Sequence, residues 1–181
     1  NIIIKKMYGF GLSQDCKCKN CKRERNAKNR ILKYNRSNDS YTYLKNASPT
    51  VDDILRDVKK LKFSSNFNFP IFKGVIPESV NVLTFGHCFN QPITNIIPPF
   101  VKKLQFGNNF NQCISLGDIP SGVEKLVFGK CFNKNIEVGA IPNSVKILIF
   151  RGNFSKFIYP ELIPRSVSVL IFNETRYYYN T

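Results

Sequence analysis

The sequence predicts a mainly β repeat solenoid, in which coils of about 22 residues stack and place a parallel sheet on one face. Three observations predict it: a recurring V-x-x-L-x-F phrase, a Phe-Asn pair that follows it, and an Ile-Pro pair that closes each unit. A coil this short cannot bury its own apolar residues and does so only against its neighbours. The coils therefore share one core.

The V-x-x-L-x-F phrase sets the register of the coils. Its copies begin at six valines: Val58, Val80, Val101, Val123, Val145 and Val167. The intervals between them are 22, 21, 22, 22 and 22 residues. The residue missing from the short interval falls between Ile93 and Ile97, in a loop, which leaves the register intact. In each copy Leu and Phe stand two residues apart, so they point to one face of a short strand.

Glycine and proline mark the bends of each coil. Gly86, Gly107 and Gly129 follow the strand phenylalanine, and glycine there permits a sharp departure from the strand. Ile-Pro pairs, the first at 76–77, fix φ where the chain turns back. The phenylalanines and isoleucines between these bends are predicted to point inward and to form spines through the stack.

An asparagine beside the second phenylalanine recurs in four coils, and serine replaces it in the fifth. The asparagines are Asn68, Asn90, Asn111 and Asn133. Asparagine tolerates turn conformations, bonds nearby backbone and can bond the coil beside it, as in the Asn ladders of stacked sheets. A polar binding row is the alternative. We favour the structural ladder because polar groups beside a core must be satisfied internally.

Positive charge is concentrated ahead of the repeats. The formal net charge is +15, and residues 1–50 hold 12 of the 27 Lys and Arg and 3 of the 12 Asp and Glu, a net of +9. This excess favours nucleic acid, anionic membranes or acidic proteins as partners, without choosing among them. The sequence thus divides into a basic extension (1–50), the repeats (51–172) and a C-terminal cap (173–181).

Residues 22–36 are helix-compatible and strongly basic. One interpretation is a charged, solvated face. The other is an arm within residues 16–36 that binds nucleic acid or an acidic protein. The basic side chains of that arm are Lys22, Arg23, Arg25, Lys28 and Arg30. Tyr34 is the only aromatic residue there, which disfavours sequence-specific recognition of single strands.

Three closely spaced cysteines, Cys16, Cys18 and Cys21, have a spacing that suits a metal ion. A structural zinc site requires four ligands, and no fourth Cys or His lies in that segment. His87 and Cys88 of the repeats, or another chain, would have to complete the site. The alternative is free, reduced thiols, as in cytosolic proteins. Zinc is the one cofactor that the sequence suggests.

No pattern of catalytic residues stands out. The chain has one His and carries no glycine-rich phosphate loop or nucleophile motif, so we expect no enzymatic activity. No stretch has the roughly 18 apolar residues of a transmembrane helix. The sequence therefore predicts a cytoplasmic protein.

The outward strand positions predict a binding surface. With the valine of the phrase as position 1, positions 3 and 5 point outward. They are basic or polar in the first coils and apolar in the last. The apolar members are Val127, Ile147, Ile149, Val169 and Ile171. Because exposed apolar clusters mark binding sites, we expect these residues to contact a partner or the C-terminal tail, or to be covered within a larger assembly.

The repeated phrase F-N … I-P resembles the FNIP repeat family, in five copies across residues 51–172. The resemblance implies a leucine-rich-repeat-like solenoid of a kind found mainly in amoebae and the large DNA viruses that infect them. It also implies a protein-interaction scaffold, or a component of a viral or host-directed assembly. Many members carry an F-box and are inferred to be substrate receptors of ubiquitin ligases. Residues 1–50 show no F-box-like run of leucines and prolines.

Overall fold

The chain folds as a solenoid of short strands joined by tight turns. The structure, a computed structural model, describes residues 31–37, 39–152, 154–155, 160–172 and 175–178. Within these ranges nine strands form one sheet, in the order of the chain. They are β1 (Leu32–Asn35), β2 (Ser40–Tyr43), β3 (Lys60–Phe63), β4 (Val82–Thr84), β5 (Lys103–Gln105), β6 (Lys125–Phe128), β7 (Ile147–Phe150), β8 (Val169–Phe172) and β9 (Thr175–Tyr178).

Helical structure is nearly absent from these described ranges. A short 3₁₀ helix, Pro160–Leu162, lies between β7 and β8. No helix in the described part of the chain has the length and apolar character to cross a membrane.

Strands β2 to β8 are parallel, and their register follows the repeat. The strand leucine of each coil pairs with that of the next, as Leu61 does with Leu83 and Leu83 with Leu104. These leucines are buried, because alternate side chains of a strand share a face, and so is the phenylalanine two residues on in every coil except the last, where Phe172 is half-buried. The predicted mainly β solenoid with a parallel sheet on one face is confirmed.

The sheet continues beyond the repeats at both ends. β2 pairs in parallel with β3 and sets Tyr43, which is fully buried, beside Phe63 in the core. β1 then joins β2, and β9 joins β8, as antiparallel strands. The sheet therefore begins within residues 1–50, ahead of the predicted start of the repeats.

Two columns of stacked phenylalanines fill the core. The first column contains the strand phenylalanines, whose ring centroids lie 5.1 to 5.6 Å apart: Phe63, Phe85, Phe106, Phe128 and Phe150. The second contains the phenylalanines that precede the asparagine row, at 5.6 to 6.2 Å: Phe67, Phe89, Phe110, Phe132 and Phe154. Such offset stacking adds about 0.5–1.5 kcal/mol per pair to the burial of the rings.

The glycines that follow the strands serve close contact between coils. Gly107 and Gly129 show no positive φ. A Cβ atom on Gly107 would overlap the carbonyl oxygen of Gly86, and one on Gly129 would overlap that of Gly107. This role differs from the sharp departure that the sequence predicts, because here glycine is required by the neighbouring backbone and not by its own φ.

Left-handed backbone occurs instead in the turn at the far side of the first four coils. Gly74, Gly117 and Gly139 adopt φ of 81°, 85° and 84° in equivalent turns. The coil that is one residue shorter has Asn95 there, with φ of 57°. Asparagine is among the non-glycine residues that best tolerate this region, so the deletion is absorbed without disturbing the strands.

The four repeated asparagines lie in one row and connect successive coils. The backbone N–H of Asn90 donates to Oδ1 of Asn68 at 2.8 Å. The same bond joins Asn111 to Asn90 and Asn133 to Asn111, each at 2.9 Å. Ser155 continues the row, since its N–H donates to Asn133 Oδ1 at 3.1 Å. Each side chain thus holds the backbone of the next coil.

A second layer of amides, which sequence reasoning missed, reinforces this row. Gln91 Nε2 donates to Asn68 Oδ1 at 3.0 Å, and Gln112 Nε2 donates to Asn90 Oδ1 at 2.9 Å. The signal in the sequence was the glutamine directly after two of the asparagines. Because Oδ1 of these asparagines accepts two donors within the chain, it has little capacity left for a ligand.

We expect Asn111→Ala to destabilise the chain by about 1–3 kcal/mol, because it leaves the backbone N–H of Asn133 without its acceptor. Asn135→Ala is the matched control, since that side chain is exposed, and it should change stability by less than about 0.5 kcal/mol. Urea denaturation of both variants measures the difference. Equal, small effects would show that the row does not connect the coils.

We expect Gly107→Ala to be more damaging, at more than about 3 kcal/mol, because the overlapping atom belongs to backbone that cannot rotate away. Gly117→Ala meets nothing within 4 Å and bears only the penalty of left-handed backbone, about 1–2 kcal/mol. Denaturation midpoints of the two variants provide the measurement. A larger loss for Gly117→Ala would contradict the close-contact role of Gly107.

Candidate interaction surface

The outer face of the sheet carries two rows of side chains, here called the outer rows, which alternate with the buried residues of each strand. They are defined from β1 to β8 by the strand register. The first contains Asn35, Ser40, Lys60, Val82, Lys103, Lys125, Ile147 and Val169. The second contains Lys33, Thr42, Lys62, Thr84, Gln105, Val127, Ile149 and Ile171.

The structure brings the predicted apolar residues together at the β7–β8 end of the outer rows. Ile147 pairs with Val169, and Ile149 pairs with Ile171, so four β-branched side chains form a block across two strands. All four are half-buried. Val127 is the exception to the expected exposure. It adjoins the block but is only 2% exposed, because Gln105 and Ile149 flank it in register.

The described part of the C-terminal tail lies beside this block and not over it. β9 pairs edge to edge with β8, so that its backbone sets residue 176 opposite Ile171 and residue 178 opposite Val169. A strand added in this way lengthens the sheet. Through this pairing the described tail adds no layer over the outer faces of β7 and β8.

The other end of the outer rows is basic. Its lysines are Lys33, Lys60, Lys62, Lys103 and Lys125, and no Asp or Glu occupies either row from β1 to β8. Lys103 and Lys125 are direct neighbours in register on adjacent strands. The ion pairs Lys45–Asp53, at 3.5 Å, and Lys102–Glu124, at 3.2 Å, lie outside the rows.

Asp53, at the entry to the repeats, has a structural role. Asp53 Oδ2 accepts the backbone N–H of Thr50 at 2.8 Å and lies 3.5 Å from Lys45 Nζ. The hydrogen bond from Thr50, assisted by Lys45, lowers the pKa of Asp53 below its usual value. Its contribution to stability is therefore present at neutral pH and is lost as the pH falls through that lowered pKa. Burial raises the pKa of nearby Tyr43, which stays neutral.

Two groups of predicted site residues lie outside the described residues. They are the basic side chains Lys22, Arg23, Arg25, Lys28 and Arg30, and the cysteines Cys16, Cys18 and Cys21. Of the additional ligands considered for zinc, Cys88 is buried, and His87 Nδ1 lies 3.3 Å from Asn108 Nδ2. Among the residues with described positions, no group of three or more His, Cys, Asp or Glu could hold a metal ion.

A solved structure shares the architecture. The chain is similar to the crystal structure of CroV588, a giant-virus protein with a circular leucine-rich-repeat structure, with a TM-score of 0.64 and 34% sequence identity. The similarity covers 71% of this chain and 19% of that chain, so this chain spans about a fifth of the length of CroV588. No curated protein sequence gives a significant match.

The family comparison agrees with the spacing of the coils. The family model for the FNIP Repeat matches residues 52–88, 89–131 and 132–175, which together make up more than half of the chain. These ranges contain β3 to β8, the phenylalanine columns and the asparagine row. The chain therefore belongs to the FNIP repeat family, whose coils here form a leucine-rich-repeat-like solenoid.

Proposed function

We propose that the chain is a non-enzymatic protein-interaction scaffold and that it binds its partner through the outer rows. Repeat solenoids of this kind typically bind proteins over an extended surface. The open outer face is the observation that carries the proposal. Parallel sheets normally have both faces covered. Here the core covers the inner face, whereas the side chains of the outer rows, with the exception of Val127, are exposed or half-buried.

The apolar block supplies the part of this surface that gains most from a partner. Ile147, Ile149, Val169 and Ile171 lie side by side and retain part of their exposure. Burial of apolar surface contributes about 25 cal/mol per Å² to association. A partner that covered the block would also complete the second layer that a parallel sheet normally has.

The proposed setting is viral. CroV588 is a giant-virus protein, and the similarity supports a viral origin for this chain. A viral protein of this type would act in the host cytoplasm or in the virion, as a component of an assembly or as an adaptor for host proteins. The role of substrate receptor for a ubiquitin ligase has no support in residues 1–50, which lack an F-box-like run.

A second candidate function is the binding of nucleic acid or another polyanion through residues 16–36. The net charge of +9 on residues 1–50 favours it. This function would reside in a different part of the chain from the outer rows, so that the two proposals can be tested separately.

We expect Ile149→Ser combined with Ile171→Ser to leave the fold intact and to abolish partner binding, because both side chains face outward while Leu148 and Leu170 fill the core. A matched control is Leu116→Ser with Val138→Ser, since these side chains are 62% and 57% exposed in the far turns. Pull-down of partners from the native source and thermal melts measure the two effects.

Three results would contradict the proposal. Unfolding of the Ile149/Ile171 variant would mean that these side chains belong to the core. Retention of the partner by a folded Ile149/Ile171 variant would exclude the apolar block as the binding site. Loss of the partner in the Leu116/Val138 control alone would place the site at the far turns.

For the polyanion function, replacing five basic residues of the N-terminal segment with glutamine should flatten the dependence of duplex-DNA affinity on salt. The slope should fall by about 0.9 for each phosphate that the variant no longer neutralises. The five residues are Lys22, Arg23, Arg25, Lys28 and Arg30. The control replaces five exposed basic residues of the repeats: Lys59, Lys73, Lys130, Lys134 and Arg165. An equal change of slope in both variants would contradict a dedicated N-terminal site.

A further inference from the structure

We infer that the segment that binds the outer rows is acidic where it lies over β3 to β6 and apolar where it lies over β7 and β8. This inference rests on the proposed function and adds the chemistry of the partner. Its basis is the division of one continuous surface into a lysine-bearing end and an aliphatic end. A partner that matched both ends would bind in one orientation only.

The basic end has a composition that a purely structural face would not require. Lys62 and Lys103 are exposed, and Lys125 is half-buried. Because Lys103 and Lys125 are register neighbours, their backbones lie about 4.7–4.9 Å apart, and like charges so placed destabilise a sheet. Carboxylates of a partner would convert this repulsion into attraction.

Charge argues against the chain covering its own face. Residues 1–30 contain nine Lys and Arg and two Asp and Glu, a net of +7. That segment would be repelled by the lysines of the outer rows. A second copy of the chain is disfavoured for the same reason, since stacking two such faces would set lysines against lysines or bury them against the aliphatic block.

The same surface favours a peptide over a nucleic acid. The aliphatic block offers nothing to a phosphate backbone, and none of the residues of the outer rows between β1 and β8 is aromatic. The outer rows therefore offer no aromatic side chain on which a nucleic-acid base could stack. A polypeptide can supply both carboxylates and apolar side chains within one short segment.

The length of the surface fixes the length of that segment. β3 to β8 are six adjacent strands, so five spacings of about 4.8 Å give roughly 24 Å. An extended peptide covers this distance with about seven residues, and a helix with about 16. A 16-residue probe therefore reaches both ends in either conformation.

The test uses the full chain and a fluorescent 16-residue peptide, with glutamate concentrated in its first half and leucine alternating with glutamine in its second. Fluorescence anisotropy measures its affinity, and a peptide of the same composition in scrambled order is the control. The face-charge variant is Lys62→Glu/Lys103→Glu/Lys125→Glu. The off-face variant is Lys73→Glu/Lys130→Glu/Lys134→Glu, at exposed positions outside the outer rows, with the same change of net charge.

We expect the wild-type chain to bind the ordered peptide more tightly than the scrambled one. The face-charge variant should bind the ordered peptide at least about tenfold more weakly than the wild-type chain does. The off-face variant should lose less than about threefold in affinity for the same peptide. Lack of binding by the wild-type chain would overturn the inference, and so would equal losses in the two variants. Tighter binding of a DNA oligonucleotide that displaces the peptide would instead assign the basic end to nucleic acid.

Two further measurements separate this inference from the proposed function. If the face-charge variant keeps the native partner while Ile149→Ser/Ile171→Ser loses it, the scaffold function stands and the acidic partner is excluded. If neither variant loses the native partner, the scaffold function of this face fails as well.

Lys125→Gln should raise the melting temperature of the chain by about 1–4 °C and should lower its affinity for the peptide, because it removes one of two adjacent charges. A lower melting temperature would contradict the argument from repulsion.

Discussion

The structure depends on one constraint: every coil lies directly against the next, so a repeated side chain must tolerate a copy of itself. Phenylalanine meets this condition by offset stacking, as Phe106 does on Phe128 at 5.5 Å. Asparagine meets it because its side-chain oxygen accepts the N–H of the next asparagine. Glycine meets it because its missing Cβ leaves room for the neighbouring carbonyl group. Phenylalanine, asparagine and glycine thus provide three chemical solutions to the same problem.

The ends of the sheet show how this stacking stops. Phe172 meets Phe150 edge-on, with an interplanar angle of 76°, whereas the pairs within the column lie within 13° of parallel. β9 then reverses direction on β8, as β1 does on β2 at the other end. An antiparallel strand can follow after a tight turn, whereas each further parallel strand needs a whole coil. β8 and β2 therefore have the backbone groups of their outer edges paired without another repeat.

The fold could be predicted because the stacking of each coil on the next requires an even spacing of the repeated residues, and the sequence shows that spacing. A period that stays at 22 or 21 residues fixes which leucine pairs with which, and the structure has that register. Features that depend on contact with a different residue type in the adjacent coil could not be predicted from the spacing. The burial of Val127 follows from Gln105 and Ile149 beside it, and the glycines are explained by a carbonyl group of another coil. β1, β2 and β9 lie outside the period, so periodicity carried no information about them.

The outer rows are where the chain departs from the constraint, and this is why the function is proposed there. Inside the solenoid, each position repeats because only a few residue types stack on themselves. Outside it, the same register sets Lys103 beside Lys125 but Ile147 beside Val169. Neither arrangement is required by the core, since Leu104, Leu126 and Leu148 keep the inner face constant beneath them. A surface whose chemistry varies along an otherwise uniform array has two different ends. A partner that binds along it in one orientation needs negative charge at one end and apolar side chains at the other.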